Sequence, residues 1–161
     1  MTNKTLAIFE EGKLIQDAKG RTNFTFKYVY NDGSIETKIN GISILTEKNG
    51  SLFTDAKGRT EFENMYRYFN GSARTSINGI YIITEKDGSL FTDAKGNYEF
   101  ENVYRFTEGS TETEINGKYI LTEKDGSLFT DANGRTEFDY VERYSDGSTE
   151  TEINGVSIIT K

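Results

Sequence analysis

The sequence predicts an all-β repeat protein: four tandem 38-residue units, each of four strands, in one continuous antiparallel meander. Three observations predict it. Gly12, Gly50, Gly88 and Gly126 stand 38 residues apart, and Asp17, Asp55, Asp93 and Asp131 keep the same spacing. A fixed period of this length is the mark of a repeat architecture. Asp-Gly and Asn-Gly pairs separate runs of β-branched and aromatic residues, which is the strongest short-range hairpin signal. No helical period intervenes. The copies span residues 7–44, 45–82, 83–120 and 121–158, with 159–161 as the tail of the last strand. Residues 1–161 are therefore expected to form a single repeat domain.

The third copy shows the elements in order. Turns at Asp87-Gly88, Ala94-Lys95-Gly96, Glu108-Gly109 and Asn116-Gly117 delimit strands over residues 81–86, 89–93, 97–107 and 110–115. Parallel pairing needs a crossover of a dozen residues or more, and no connection here is that long. Read as two-residue turns, the Gly pairs set Phe106 opposite Thr111, Arg105 opposite Glu112 and Tyr104 opposite Thr113. They set Thr113 opposite Ile120, and Thr122 opposite Phe129. Alternation then gives one face Phe100, Tyr104, Phe106, Thr111, Thr113, Ile115, Ile120 and Phe129 as the core. The other face is solvated through Glu99, Glu101, Arg105, Glu112 and Glu114, and Val103, Tyr119, Leu121 and Leu128 form an apolar island on it. Successive copies fill one island position with Leu45, Ile83, Leu121 and Ile159. A sheet apolar on both faces is sandwiched between neighbours. Two arrangements supply such neighbours: an open, coiled array of hairpins, and a four-bladed propeller-like ring.

Composition narrows the function classes. Hydrophobic residues are only 34%, but Tyr and Phe make up 13%, and a disordered chain lacks such aromatic content. The net charge of −7 speaks against nucleic acid, whose phosphates call for a basic surface. No apolar run is long enough to span a bilayer, so no membrane insertion is expected. No signal peptide is visible in MTNKTLAIFEEGK. Cys and His are absent, which removes the common zinc ligands and the commonest catalytic base. No catalytic residue and no cofactor are expected.

Three constellations are candidate sites. Asp17, Asp55, Asp93 and Asp131 each open an Asp-Ala-Lys/Asn-Gly turn and are weak calcium candidates. The fuller set of acids that a calcium loop needs is missing, so an Asp capping its own turn is the expectation. Glu112/Glu114 and Glu150/Glu152 lie in pairs on one strand face, where charge keeps a sheet soluble. Tyr28, Tyr66 and Tyr104 form a ladder across copies that Glu142 breaks. Tyr30, Tyr68, Phe106 and Tyr144 form a second. Exposed rings stack on sugars, and Tyr66, Tyr104 and Tyr119 are the candidates for that role. The register above puts the ladders on the core face, which makes them core aromatics.

The pattern Asp/Asn-Gly-x-Leu-Phe-x-x-x-x-x-Gly resembles the hairpin repeats of choline- and glucan-binding modules and of MORN-type proteins. The resemblance implies hairpin repeats. It carries over no ligand, because the tryptophans that build the choline sites have no counterpart here.

The chain starts and finishes with copies of the same kind of strand, near Ile8-Phe9 and Ile158-Ile159. These four residues are the candidates for self-association, since a free strand edge recruits another strand. The expected function is non-enzymatic: a structural or adhesive repeat protein presenting a repeated surface, at the exterior of a cell or virion. The alternative is a multivalent carbohydrate-binding protein with one weak site per repeat, gaining avidity by repetition. The expected partner is accordingly a second copy or a surface glycan.

Overall fold

In the computed structural model the described residues are 6–7, 9–10 and 13–161, those at 9, 10 and 13 as backbone. Among them are sixteen short strands and no helix. They are β1 (Leu6–Ala7), β2 (Phe9–Glu10), β3 (Lys13–Leu14), β4 (Asn23–Phe24), β5 (Phe26–Val29), β6 (Ile35–Ile39), β7 (Ile42–Thr46) and β8 (Asn64–Arg67). They continue with β9 (Ala73–Ile77), β10 (Ile80–Thr84), β11 (Asn102–Arg105), β12 (Thr111–Ile115), β13 (Lys118–Thr122), β14 (Tyr140–Arg143), β15 (Thr149–Ile153) and β16 (Val156–Thr160). The fold is all-β, built of antiparallel hairpin repeats.

The chain divides into two compact units. One comprises the residues up to 78 together with 83–90, and the other comprises 79–82 with 91–161. In the first unit β5–β6–β7 is an antiparallel meander, β8 pairs with β9, and short ladders join β1 to β4 and β2 to β3. The second unit holds two meanders, β11–β12–β13 and β14–β15–β16.

Each of these meanders has three strands where four per copy were expected. The missing strand, 89–93 in the third copy, is reduced to one bridge between Thr84 and Leu90. The expected strand 97–107 shortens to β11 and a bridge between Tyr81 and Phe100. The cause is the Asp turn between them. Asp93 Oδ1 accepts the N–H groups of Lys95 and Asn97, at 2.9 and 2.8 Å. Those donors are withdrawn from any ladder, so the two arms bridge the preceding copy's third strand at isolated points. The same pattern recurs at β7, through Thr46–Leu52 and Ser43–Phe62, and at β13, through Thr122–Leu128 and Tyr119–Phe138.

The turns also move the register. Asn116 and Gly117 have φ of 53° and 75°, both left-handed, as a two-residue hairpin requires. Around that turn Ile115 faces Lys118 and Thr113 faces Ile120, as expected. Gly109 is also left-handed, but its turn is one residue longer. The Gly109 N–H donates to Phe106 C=O at 3.0 Å, and the Phe106 N–H donates to Ser110 C=O at 2.9 Å. A three-residue loop therefore separates the strands, and Arg105 faces Thr111, Tyr104 faces Glu112 and Val103 faces Thr113. The same loop at Gly126 sets Thr122 opposite Leu128 instead of Phe129. A one-residue slip moves every side chain of a strand to the other face. Val103 and Arg105 are consequently buried, and Tyr104 faces solvent.

Both faces of a sheet find neighbours inside each unit. Leu45 packs with Tyr30, Phe62 and Met65, backed by Phe53 and Ile77. Leu121 packs with Phe129, Phe138 and Val141, backed by Phe106, Tyr119 and Ile153. Counted by the meanders, so that each structural copy ends with its third strand, one copy thus lays its island residue on the buried face of the next. Fully burying a Leu side chain contributes about 1.5–3 kcal/mol, so these contacts join one copy to the next.

Candidate functional site

The longer turn places the first tyrosine ladder outside. Tyr28, Tyr66 and Tyr104 are 50, 44 and 49% exposed, against the core position expected for them. The second ladder lies inward in three copies, where Tyr30 and Tyr68 are buried and Phe106 is half-buried, but its last member, Tyr144, is exposed. In the first unit the two ladders touch edge to face. Ring centroids are 4.8 Å apart for Tyr28–Tyr30, 5.8 Å for Tyr30–Tyr66 and 5.0 Å for Tyr66–Tyr68. In the second unit Tyr104 sits 5.0 Å from Phe106 in the same geometry. The inner ring holds the outer one, so the exposed tyrosine presents a fixed aromatic surface. The Tyr30 hydroxyl donates to Glu36 at 2.7 Å, and the Ser43 hydroxyl donates to the other Glu36 oxygen at 2.8 Å.

Carboxylates flank the rings. Glu112 lies opposite Tyr104, and Glu114 lies opposite Tyr119 across the next pair of strands. Burial, with the charges of Glu114 and Glu142 beside it, pushes the Glu112 carboxyl up to about 7. A hydrogen bond to Glu114, with burial, pushes the Tyr119 phenol up to about 12. In the last copy Glu142 replaces the ladder tyrosine and faces Glu150 directly. Tyr140 donates to Glu142, and Tyr144 donates to Glu150 at 3.2 Å. Of the three stacking candidates, Tyr66 and Tyr104 are therefore in the exposed row, and Tyr119 is half-buried two strands away, hydrogen-bonded within its own sheet.

The four Asp turns carry a closed set of bonds. Asp131 Oδ1 accepts the N–H groups of Asn133 and Arg135, both at 2.9 Å. Its Oδ2 accepts Arg135 Nε at 2.8 Å and the Thr151 hydroxyl at 3.2 Å. Asp17 and Asp55 repeat this with Arg21 and Arg59, and Asp93 with Asn97. The side chains of Asp17, Asp55 and Asp131 have no exposed surface. Burial raises the Asp131 pKa, but the Arg135 and Asn133 N–H donors and the Arg135 charge outweigh it and hold the carboxyl below its usual range. Each turn is also tied to a later strand, since the N–H of Ala18, Ala56, Ala94 and Ala132 donates to Thr46, Thr84, Thr122 and Thr160. These are turn caps whose oxygens already have protein donors. Among the described residues no group of three or more Asp or Glu side chains is arranged to hold a metal ion.

Arg105 is buried, not on the solvated face expected for it, and it does not face Glu112. Instead, Arg105 Nε donates to the Thr111 hydroxyl at 3.0 Å and its guanidinium lies 4.9 Å from the Phe91 ring centre. Arg143 Nε donates to Thr149 at 2.6 Å, and its terminal nitrogens reach Glu123 at 2.6 and 3.2 Å over Phe129. Arg67 does the same with Glu47, at 2.6 and 3.3 Å, adds Asp32 at 3.0 Å and lies over Phe53. The available signal was the joint recurrence of Arg67, Arg105 and Arg143 with Glu47, Glu85 and Glu123 at the repeat period. Arg67 forms part of a groove of about 880 Å³ in the first unit, with Phe69, Asn70, Lys86 and Asp87 also on its walls.

Fold and surface together define an antiparallel hairpin-repeat protein with an outward tyrosine at the same position of three copies. No protein-family model matches the sequence, and a search of curated proteins returns no match.

Proposed function

We propose that the chain is a non-enzymatic repeat protein of the structural or adhesive kind, which meets its partner through the repeated tyrosine row at the exterior of a cell or virion. The observation that carries this reading is the exposure of the same tyrosine position in three successive copies, Tyr28, Tyr66 and Tyr104. A large, rigid ring with a polar tip suits contact surfaces, because it buries area and still hydrogen-bonds. Repetition adds avidity where each contact is weak. Near-identical copies also speak against catalysis, since one active site needs one set of unique residues.

A second reading is multivalent carbohydrate binding. The carboxylates beside the rings favour it: Glu112 opposite Tyr104 offers hydroxyl acceptors next to an aromatic face. A glycan array separates the two readings. Binding to defined glycans supports the carbohydrate reading. Retention on whole cells or virions without glycan signal supports a protein partner. Absence of both from the intact chain would overturn the proposal.

A further inference from the structure

Ile159 occupies in the last copy the position of Leu45, Ile83 and Leu121. Those three have 0% exposure, whereas Ile159 is 49% exposed. The burial of Leu45 and Leu121 comes from the copy that follows, through Phe62 and Met65 or Phe138 and Val141. The following copy also hydrogen-bonds to the third strand's free edge. Tyr119 N–H donates to Phe138 C=O at 2.8 Å, Phe138 N–H to Tyr119 C=O at 2.9 Å, and Phe129 N–H to Leu121 C=O at 2.9 Å. The equivalent groups on β16 belong to Ser157 and Ile159. Among the described residues β15 is the only strand paired with β16.

The head of the chain carries the matching half. β1 and β2 lie along Phe24 and Leu14, with Leu6 facing Phe24 and Phe9 facing Leu14. Internal copies have the preceding third strand in that place, as in Tyr119–Phe138 and Thr122–Leu128. β1 and β2 therefore stand in for a third strand, and among the described residues each is paired along one edge only. β16 is the same kind of strand, already held by β15.

We propose that β16 of one molecule takes the place of β1 and β2 in a second copy of this chain, pairing with its Phe24 and Leu14 and burying Ile159. The interface continues the copy-to-copy packing already present within each unit, and a further repeat would cover the same face by the same chemistry. Such head-to-tail contacts close into rings or extend into filaments. Of the assembly candidates, Ile158 and Ile159 lie on this strand, Phe9 is described as backbone, and Ile8 lies outside the described residues. The inference rests on the structural-repeat reading above, but its test is independent of the tyrosine row.

Sedimentation velocity over a concentration series tests it on the full chain, on Ile159→Glu and on a chain beginning at Lys13. The full chain is expected to associate as concentration rises. Ile159→Glu, at an exposed position, is expected to keep its melting temperature and stay monomeric. The shortened chain, which has lost the strand to be displaced, is expected to associate at tenfold or more lower concentration. A full chain that stays monomeric throughout overturns the proposal, as does association of Ile159→Glu at the parent concentration. If the shortened chain does not fold, the Ile159→Glu comparison still decides. A variant with Tyr28, Tyr66 and Tyr104 replaced by Ala should still associate, so failure of surface binding and failure of assembly are separate results.

Discussion

At the scale of single residues, the buried arginine makes the sharpest prediction. Arg105 and Arg143 each have a threonine opposite to accept their Nε proton, but Arg67 faces Ala73. Arg67 Nε is buried without a hydrogen-bond partner. Leaving a buried donor unsatisfied costs about 1–3 kcal/mol. Ala73→Thr supplies the hydroxyl that the other copies have, and it is expected to stabilise by about 1 kcal/mol. Urea unfolding of the two proteins measures this, and an unchanged or lower midpoint would show that the hydroxyl does not fit. The Asp turns make a second prediction. With Asp131 bonded to four protein donors, one of them a guanidinium, a cation would have to displace the arginine. The melting temperature is therefore expected to be equal in calcium and in chelator. A native-state ligand raises it, so an upward shift in calcium would reinstate Asp17, Asp55, Asp93 and Asp131 as ligands.

At the scale of elements, register separates what the sequence disclosed from what it concealed. The 38-residue period, the antiparallel order and the two-residue turn at Asn116-Gly117 and its copies were legible, because Asn followed by Gly suits two left-handed residues in succession. The turns at Gly109 and Gly126 and their copies, Asn49-Gly50 and Asn70-Gly71 among them, were not. Gly109 is left-handed in a two-residue or a three-residue loop alike, so the glycine alone does not count the loop residues. What fixes the longer loop is a side chain two residues before Ser: Asp32, Asn70 and Asp146 each accept both the N–H and the hydroxyl of the following Ser. At Gly109 that residue is Glu108, which accepts both groups of Ser110, and the longer loop reversed the faces, moving Tyr104 outward and Arg105 inward. The candidate site was thus legible in its residues and misplaced in its exposure.

The corrected register also brings acids together, and this has a pH consequence. The Glu112 carboxyl is raised from 4.5 to about 7 by burial and by Glu114 and Glu142. Between those values the folded state holds a proton that the unfolded state has released. Stability therefore falls as pH rises through that window, and the deficit is complete above pH 7. Glu112→Gln removes the charge at every pH. It is expected to raise stability at pH 8 by on the order of 1–2 kcal/mol, allowing for solvent screening, and to leave it unchanged near pH 4.5. Thermal melts at both pH values check this. A gain of equal size at both would mean that packing, not charge, is responsible.

At the scale of the whole molecule, repetition is the organising fact. The same turn caps, the same arginine–carboxylate contacts and the same island residues recur, and each copy differs mainly in what it shows to solvent. The central claim is that the exposed tyrosine is a contact site repeated from copy to copy, each adding to the avidity of the chain. A graded series tests it most directly: Tyr66→Ala, then Tyr66→Ala with Tyr104→Ala, then all three including Tyr28→Ala, measured for retention on the surface or glycan that the parent binds. The account predicts that affinity falls in successive multiplicative steps, since removing one contact of a multivalent set lowers the avidity of the rest. Melting temperatures should stay close to the parent's, because these rings are half-exposed. Undiminished retention by the triple variant, with its fold intact, would contradict the account.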